Sequence, residues 1–498
     1  MGNENDIEQV MLKAGRMLAG ATGERAVRDY LLPLFFVKYL SDFFLENGRE
    51  TNGRIKPLFV MDEENSFPAL FAQRDKPNLG ECINKTLTNI ETDNAQTLSG
   101  VLTLADYANA IILGGQEQRD KLLRGVLECM APIDLRPLGR PHQPDVGRIF
   151  DSILEWFSLE GGAGKYTLSY TRPFVADLIS SLAVLPEKAG SLPHIQEGGT
   201  IYDPACGSAS LLVKIAKKIP GSSTGLYGQD ISLSAISSAK MNVYLNGFPQ
   251  AEIAQGDTIA NPAFTVTGNK LKQFTVVISD IPLTIPNWKE GFRKTLLTGD
   301  EDISSMDPFR RFDYGVPSAS MGAWVFLLHM IASCAPHGRV IATAPAGTLF
   351  RTASEHDIRR RLIGENLLDA VIALPRNSFL GTAVSGCILI FKKGRKEQDV
   401  LFIDSGDAKE PDMDAVISAY TKRADIKNYA HCASAAEIQH NDYNLSVQHY
   451  VNSETVKSAA RNIREINRQI GHLKNEIETV NTEMETILRG LKIKGGNE

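Results

Sequence analysis

From Thr200 onward the chain repeats one texture, a short apolar run ending in Gly or Asp followed by an amphipathic stretch at helical spacing. That alternation predicts a parallel α/β sheet built from βα units. Seven runs fit as strands: Thr200–Tyr202, Leu226–Gly228, Ala251–Ala254, Phe274–Ile278, Arg339–Ala342, Leu368–Ala373 and Cys387–Phe391. Between about Ile7 and Gly139 there is no strand-like alternation, and the cluster Leu31, Leu32, Leu34, Phe35, Phe36, Val37, Tyr39 and Leu40 reads as a helix buried all round. From Val456 to Leu491 apolar residues recur at alternating steps of three and four, the seam of a coiled coil. Its flanks are largely Arg, Glu, Lys and Asn, so that helix is stable only against another helix, in an intrachain hairpin or on a partner. The pattern predicts a helical N-terminal domain over 1–140, an α/β domain over 141–435, and a C-terminal segment over 436–498 carrying the long helix.

Composition narrows the class. The chain has 498 residues, 43% hydrophobic and 22% charged, the usage of a globular protein too long for one core. No apolar run approaches the roughly 18 residues of a membrane span, and the polar, acidic start lacks the pattern of a signal peptide, so a cytoplasmic location is expected. The six cysteines are widely spaced, without a CxxC pair or neighbouring histidines, which argues against disulfide and zinc frameworks. A net charge of −6 argues against tight autonomous binding to DNA, because Lys and Arg normally supply most non-specific affinity.

The first chemical motif is Asp203-Pro204-Ala205-Cys206-Gly207-Ser208-Ala209-Ser210, between a strand and a helix. A small-residue turn there lets a ligand approach backbone amides at the carboxyl edge of the sheet. Taken alone this is weak evidence, and the chain has neither the GxGxxG dinucleotide fingerprint nor a GxxxxGK[ST] loop. The second strand strengthens it by ending in Asp230, where a carboxylate can accept from both ribose hydroxyls. The next strand ends in Gln255-Gly256-Asp257-Thr258, a third acidic turn able to accept from an adenine amine. Acids at three consecutive strand ends read poorly as solvated surface.

Here the sequence resembles the modification subunits of Type I restriction-modification systems, N6-adenine DNA methyltransferases with a Rossmann-like domain. The resemblance spans most of the chain. It rests on Asp203–Leu212, on Gly228-Gln229-Asp230 with Ala239–Gly247, and on Tyr170-Thr171-Arg172-Pro173. Ala323–His329, Gly338-Arg339-Val340, Leu367–Pro375, Phe379–Thr382 and Asn441–Ser446 extend it. It implies S-adenosylmethionine as cofactor, with Asp203, Ala205, Cys206 and Gly207 near its methionine portion and Tyr170 and Thr171 closing over that end. It likewise implies Asp230 on the ribose and Asp257 and Thr258 at the adenine. Ile231 either packs on the adenine face or is an ordinary core residue at a strand end. The implied partners are double-stranded DNA, a separate specificity subunit reached through the C-terminal helix, a second copy of the chain, and a restriction subunit.

In that family the fourth strand ends in Asn or Asp, Pro, Pro and an aromatic residue. Two acceptors, a side-chain oxygen and a backbone carbonyl, hold the adenine amine protons, and the aromatic ring stacks on the flipped base. This chain has Asp280-Ile281-Pro282-Leu283 instead. Asp280 keeps an acceptor and Ile281 a carbonyl, but Leu283 cannot stack; Trp288 takes its place if the following loop folds back. Two readings stand, an adenine methyltransferase with a degenerate motif and a non-catalytic scaffold that retains the cofactor site. A third, a small-molecule or protein methyltransferase, is disfavoured by the helical N-terminal unit and the heptad tail.

Overall fold

The computed structural model describes all residues except 1–3, 24–25, 48–58, 137–144, 161–170, 187–194, 196–197, 220–223, 283–284, 286–287, 297–306, 319–321, 352–353, 377, 380–383, 407–410, 452–479 and 481–498. The heptad tail, Tyr170 and Leu283 therefore lie outside the described residues, apart from Val480.

The N-terminal region is helical. Helix Glu4–Thr22 buries Ile7, Met11, Ala14 and Leu18, one stripe at steps of three and four. Helix Val27–Asn47 carries apolar residues on all sides, and Leu31, Leu32, Leu34, Phe35, Phe36 and Val37 are all buried. Leu79–Asp93, Gln116–Met130 and Val146–Glu160 share its core. This core continues into the sheet region: Met241 and Leu245, from helix Leu233–Leu245, belong to it. Ser237 on the same helix donates to the Val101 carbonyl at 2.6 Å.

The strands are β1 (Thr200–Asp203), β2 (Gly225–Asp230), β3 (Glu252–Gln255), β4 (Thr265–Val266), β5 (Lys270–Leu271), β6 (Phe274–Asp280), β7 (Cys334–Pro345), β8 (Leu368–Ala373), β9 (Gly386–Lys392), β10 (Val400–Asp404) and β11 (Ala430–Ala433). Nine form one sheet in the order β11-β10-β8-β9-β7-β6-β1-β2-β3, while β4 and β5 make a separate hairpin. All seven expected strands are present, but the sheet is not wholly parallel. β9 runs antiparallel to both β7 and β8, and β11 antiparallel to β10. No helix separates β8 from β9 among the described residues, and a parallel return needs a crossover of a dozen or more residues, usually helical.

In β6 the side chains alternate between two buried faces. Val277 joins the core formed with helices Gly322–Ser333 and Ser354–Gly364; Val276 and Ile278 join the opposite core with Pro173–Val184 and Ser210–Lys217. Burial on both faces is why the central strands are continuous apolar runs. Beyond β11, Ile438, Leu445, Val447, Tyr450 and Val451 pack into the sheet's core, and the Tyr450 ring stacks on Phe402 of β10 at 3.9 Å. The parallel strands β1, β2, β3 and β6 end along one edge, bringing Asp203, Asp230, Gln255 and Asp280 to the same rim.

Candidate functional site

The turn after β1 is bent by two left-handed residues, Gly207 (φ 53°) and Ala209 (φ 60°), and feeds helix Ser210–Lys217. Two carboxylates hold it. Asp203 Oδ1 accepts from the Ala205 amide at 3.0 Å and from Ser279 Oγ at 2.9 Å, so β1, the turn and β6 share one acceptor. Asp230 Oδ2 accepts from the Gly207 amide and Oδ1 from the Ser232 amide, each at 2.9 Å. The Cys206 amide donates to the Gln229 carbonyl at 3.0 Å. Gly228 permits this approach: a Cβ there stands 2.9 Å from Cys206 Sγ and 3.0 Å from Ile253 Cδ1.

Burial dominates the electrostatics. It raises the Asp203 carboxyl to about 7, against hydrogen bonds from Ala205 and Ser279, and the nearby Asp230 and Asp280 charges push the same way. Burial also raises Asp230, opposed by the Ser232 and Gly207 amides and by the Arg28 guanidinium. The Cys206 thiol is pushed well up by burial beside Asp203 and Asp230, which leaves it protonated and unsuited to nucleophilic work.

At the third strand end Asp257 Oδ1 accepts from the Ile259 amide at 2.9 Å and the Ala260 amide at 3.0 Å. Its Oδ2 faces Gly291 of helix Trp288–Leu296, where an added Cβ stands 3.5 Å away. Thr258 is buried and donates to the Pro204 carbonyl at 2.6 Å, tying this turn to the first. Ile231 is 64% exposed beside Asp230, so it is not a core residue.

Asp280 is half-buried at the end of β6, in register with Thr343 of β7. The Thr343 hydroxyl donates to Asp280 Oδ1, and Thr171 contributes a second side-chain hydrogen bond. Burial raises the Asp280 carboxyl and both threonines oppose that. Ile281 is buried and Pro282 partly so. The structure thus brings Thr171, Asp203, Asp230, Asp257 and Asp280 to one rim, together with Ala205, Cys206, Gly207, Ile231 and Thr258.

Trp288 does not turn back to replace Leu283. Its indole N–H donates to the Ser318 carbonyl at 3.2 Å, its ring packs on Phe312 at 5.4 Å, and it is buried at the start of its helix. The apolar neighbours that favour this burial, Phe292 and Phe312, outcompete exposure at the rim.

Four residues at the site escaped sequence reasoning. Arg28, buried in the helical unit, donates to Ser234 and to Asp29 and lies within electrostatic reach of Asp230. Arg311 and Asp307 form a fully buried ion pair at 2.9 Å, and Arg311 Nη1 donates to the Ile259 carbonyl at 2.9 Å, bracing the Asp257 turn. The i,i+4 spacing of Asp307 and Arg311 was a readable signal. Thr343 ends an apolar run and carried none. Among the described residues no cluster of His, Cys, Asp and Glu is arranged to hold a metal, and no helix is long and apolar enough to cross a membrane.

Known proteins give this geometry a family. Residues 142–459 match the N-6 DNA methylase family and residues 7–130 the HsdM N-terminal domain. The chain is 24% identical over 553 residues to the Type I restriction enzyme MpnII methylase subunit of Mycoplasma pneumoniae, covering 99% of this chain and 97% of that one. It is 25% identical over 503 residues to the MjaVIII methylase subunit of Methanocaldococcus jannaschii, covering 93% and 81%. Its fold matches the crystal structure of the Type I restriction-modification methyltransferase subunit from Streptococcus thermophilus with a TM-score of 0.75 at 24% identity, covering 90% of this chain and all of that one. With 318 of its 498 residues in the catalytic family's span and its N-terminal helices in the domain that accompanies it, this chain belongs to the N-6 DNA methylase family.

Proposed function

We propose that this chain is the modification subunit of a Type I restriction-modification complex and transfers a methyl group to N6 of adenine in double-stranded DNA. The observation that carries the reading is Asp280, a carboxylate held by Thr343 and Thr171 on the same rim as the acids of three neighbouring strand ends.

S-adenosylmethionine is the group these residues suit, and it supplies the methyl when bound. The fit rests on the left-handed Gly207 turn, the close packing that Gly228 permits against Cys206, and the exposed Ile231 beside a carboxylate. Asp203, Ala205, Cys206 and Gly207 serve the methionine end, with Tyr170 and Thr171 closing over it. Asp230 accepts from the ribose hydroxyls, Ile231 packs on the adenine face, and Asp257 and Thr258 take the adenine edge. At the target base, Asp280 and the Ile281 carbonyl accept the two amine protons and localise the nitrogen lone pair; Pro282 stiffens the turn and Leu283 borders the base. Thr343 occupies Asp280 Oδ1, which fixes the carboxylate for an incoming amine proton.

The same reading divides the chain into a helical domain over 1–140, a methyltransferase domain over 141–435 and an assembly segment over 436–498. Its coiled-coil helix docks on a separate specificity subunit that sets the target sequence, beside a second copy of the chain and, in restriction complexes, a nuclease subunit. The work is cytoplasmic. The test is transfer of labelled methyl to plasmid DNA by the chain reconstituted with its specificity subunit. Incorporation into adenine that Asp280→Ala abolishes is the expected result; activity that survives the substitution overturns the assignment of the acceptor.

A further inference from the structure

We infer that Phe350 supplies the stacking face for the extrahelical adenine, at a site whose strand-end motif offers only Leu283. The inference rests on the adenine methyltransferase reading and adds a residue to it.

β7 lies next to β6, about 4.8 Å away across the ladder, and its Thr343 both pairs with and hydrogen-bonds to Asp280. Two residues later β7 ends at Pro345, and the chain enters the short 3₁₀ turn Ala346–Leu349 at the same rim. The turn is anchored at both ends: the Ala346 amide donates to the Ser385 carbonyl at 2.8 Å, and the Leu349 carbonyl accepts from the Leu445 amide at 2.9 Å. Leu349 is buried, and the next residue, Phe350, is 48% exposed.

A single exposed aliphatic side chain carries no message on its own. Phe350 is different because it is the most exposed Phe, Tyr or Trp among the described residues, and it caps the turn that follows the strand paired with the acceptor's own. Val384, 44% exposed on the loop that enters β9, precedes the Ser385 carbonyl that anchors this turn and adds apolar surface at the same rim. Arg351 folds over Gly347, where an added Cβ stands 2.9 Å from Nε, so the turn that presents Phe350 also carries a cation in a chain of net charge −6. An exposed aromatic on an anchored turn that also carries a cation is the composition that captures unpaired bases, by stacking and by attraction to the backbone.

The occupant is a purine turned out of the duplex, and the probe is 2-aminopurine opposite an abasic site in a duplex whose end carries fluorescein. Full-length chain reconstituted with its specificity subunit is titrated at low ionic strength, with fluorescein anisotropy reporting binding and 2-aminopurine emission reporting stacking. The native chain and Phe350→Tyr quench the base. Phe350→Ala weakens base capture about 5- to 150-fold, the fold-change for roughly 1–3 kcal/mol of stacking. Quenching by Phe350→Ala equal to that of the native chain, or bound DNA without quenching by the native chain, overturns the proposal. Absence of binding overturns it together with the DNA reading, and calorimetry of the native chain with S-adenosylmethionine then tells that outcome from failure of the cofactor site.

Discussion

The Gly207 amide donates to Asp230 Oδ2 at 2.9 Å, so the carboxylate at the end of β2 is also the brace for the turn after β1. With Oδ1 held by the Ser232 amide, both oxygens are aimed before any ligand arrives. Asp230→Ala therefore removes an acceptor and loosens the turn. A hydrogen bond to a charged group contributes about 1.5–3 kcal/mol, so cofactor affinity measured by calorimetry falls roughly 10- to 150-fold. Unchanged affinity rejects Asp230 as a cofactor ligand.

Asp203 gives the stability of the chain a pH dependence. Unfolded, its carboxyl ionises near the ordinary value of about 4; folded, burial holds it to about 7. Between those values the folded chain keeps a proton that the unfolded chain has lost, so this stabilisation is fully present below about pH 4 and is lost as pH rises through 7. Three pH units correspond to at most about 4 kcal/mol. Asp203→Asn keeps an acceptor for Ala205 and Ser279 and has no proton to lose. The gap in thermal midpoint between variant and native chain therefore grows in the variant's favour from pH 4 to pH 7. A constant gap refutes this.

What was legible in the sequence follows from how local each signal is. Phe274–Ile278 reads as a buried strand because its apolar run is continuous and ends in an acid, and the acids at 203, 230 and 257 share a rim because parallel strands end together. Val400–Asp404 has the same texture yet lies outside the seven expected runs, while Ala430–Ala433 is an edge strand with only two buried residues and little to read. The reversed direction of β9 follows from the short connection between Ala373 and Gly386, which holds no helix among the described residues. Arg28 was not legible at all: its bond to Ser234 joins residues 206 apart in the chain, and no local pattern encodes it. Trp288 misled because an aromatic near a degenerate motif says nothing of the Phe292 and Phe312 pocket that buries it.

Arg311 and Asp307 are 1% and 0% exposed, and breaking a buried pair from one side leaves an uncompensated charge. Arg311→Ala costs about 3–5 kcal/mol by that mechanism and frees the Ile259 carbonyl that braces the Asp257 turn. Its thermal midpoint falls well below that of the double variant Asp307→Leu, Arg311→Met, in which neither charge remains. Equal midpoints reject the ion pair as the origin of the effect.

Removing the chain after Val451 tests the tail. The described core closes at Tyr450 and Val451, which pack on the sheet, so the truncated chain folds and binds cofactor. The narrow apolar stripe between charged flanks suits selective helix pairing, and its loss abolishes co-purification with the specificity subunit. Co-purification that survives the truncation places the contact elsewhere.

Leu283 tests how the base is held. Flipping a base costs a few kcal/mol and an aromatic face returns about 1–3, so with Phe350 on one face a leucine on the other leaves the flipped state less populated than two rings would. Leu283→Phe and Leu283→Tyr add a ring next to the Asp280 acceptor, and Trp288 cannot have been filling that role because its indole is tied to the Ser318 carbonyl. Where flipping limits turnover, methyl incorporation in the reconstituted complex rises by roughly 5- to 100-fold, at about 1.4 kcal/mol per tenfold. The gain requires an intact acceptor, so Leu283→Phe combined with Asp280→Ala stays inactive. A Leu283→Phe rate equal to the native one, measured with the target site saturated, shows that base capture does not limit the reaction and that the missing ring at this position is already compensated.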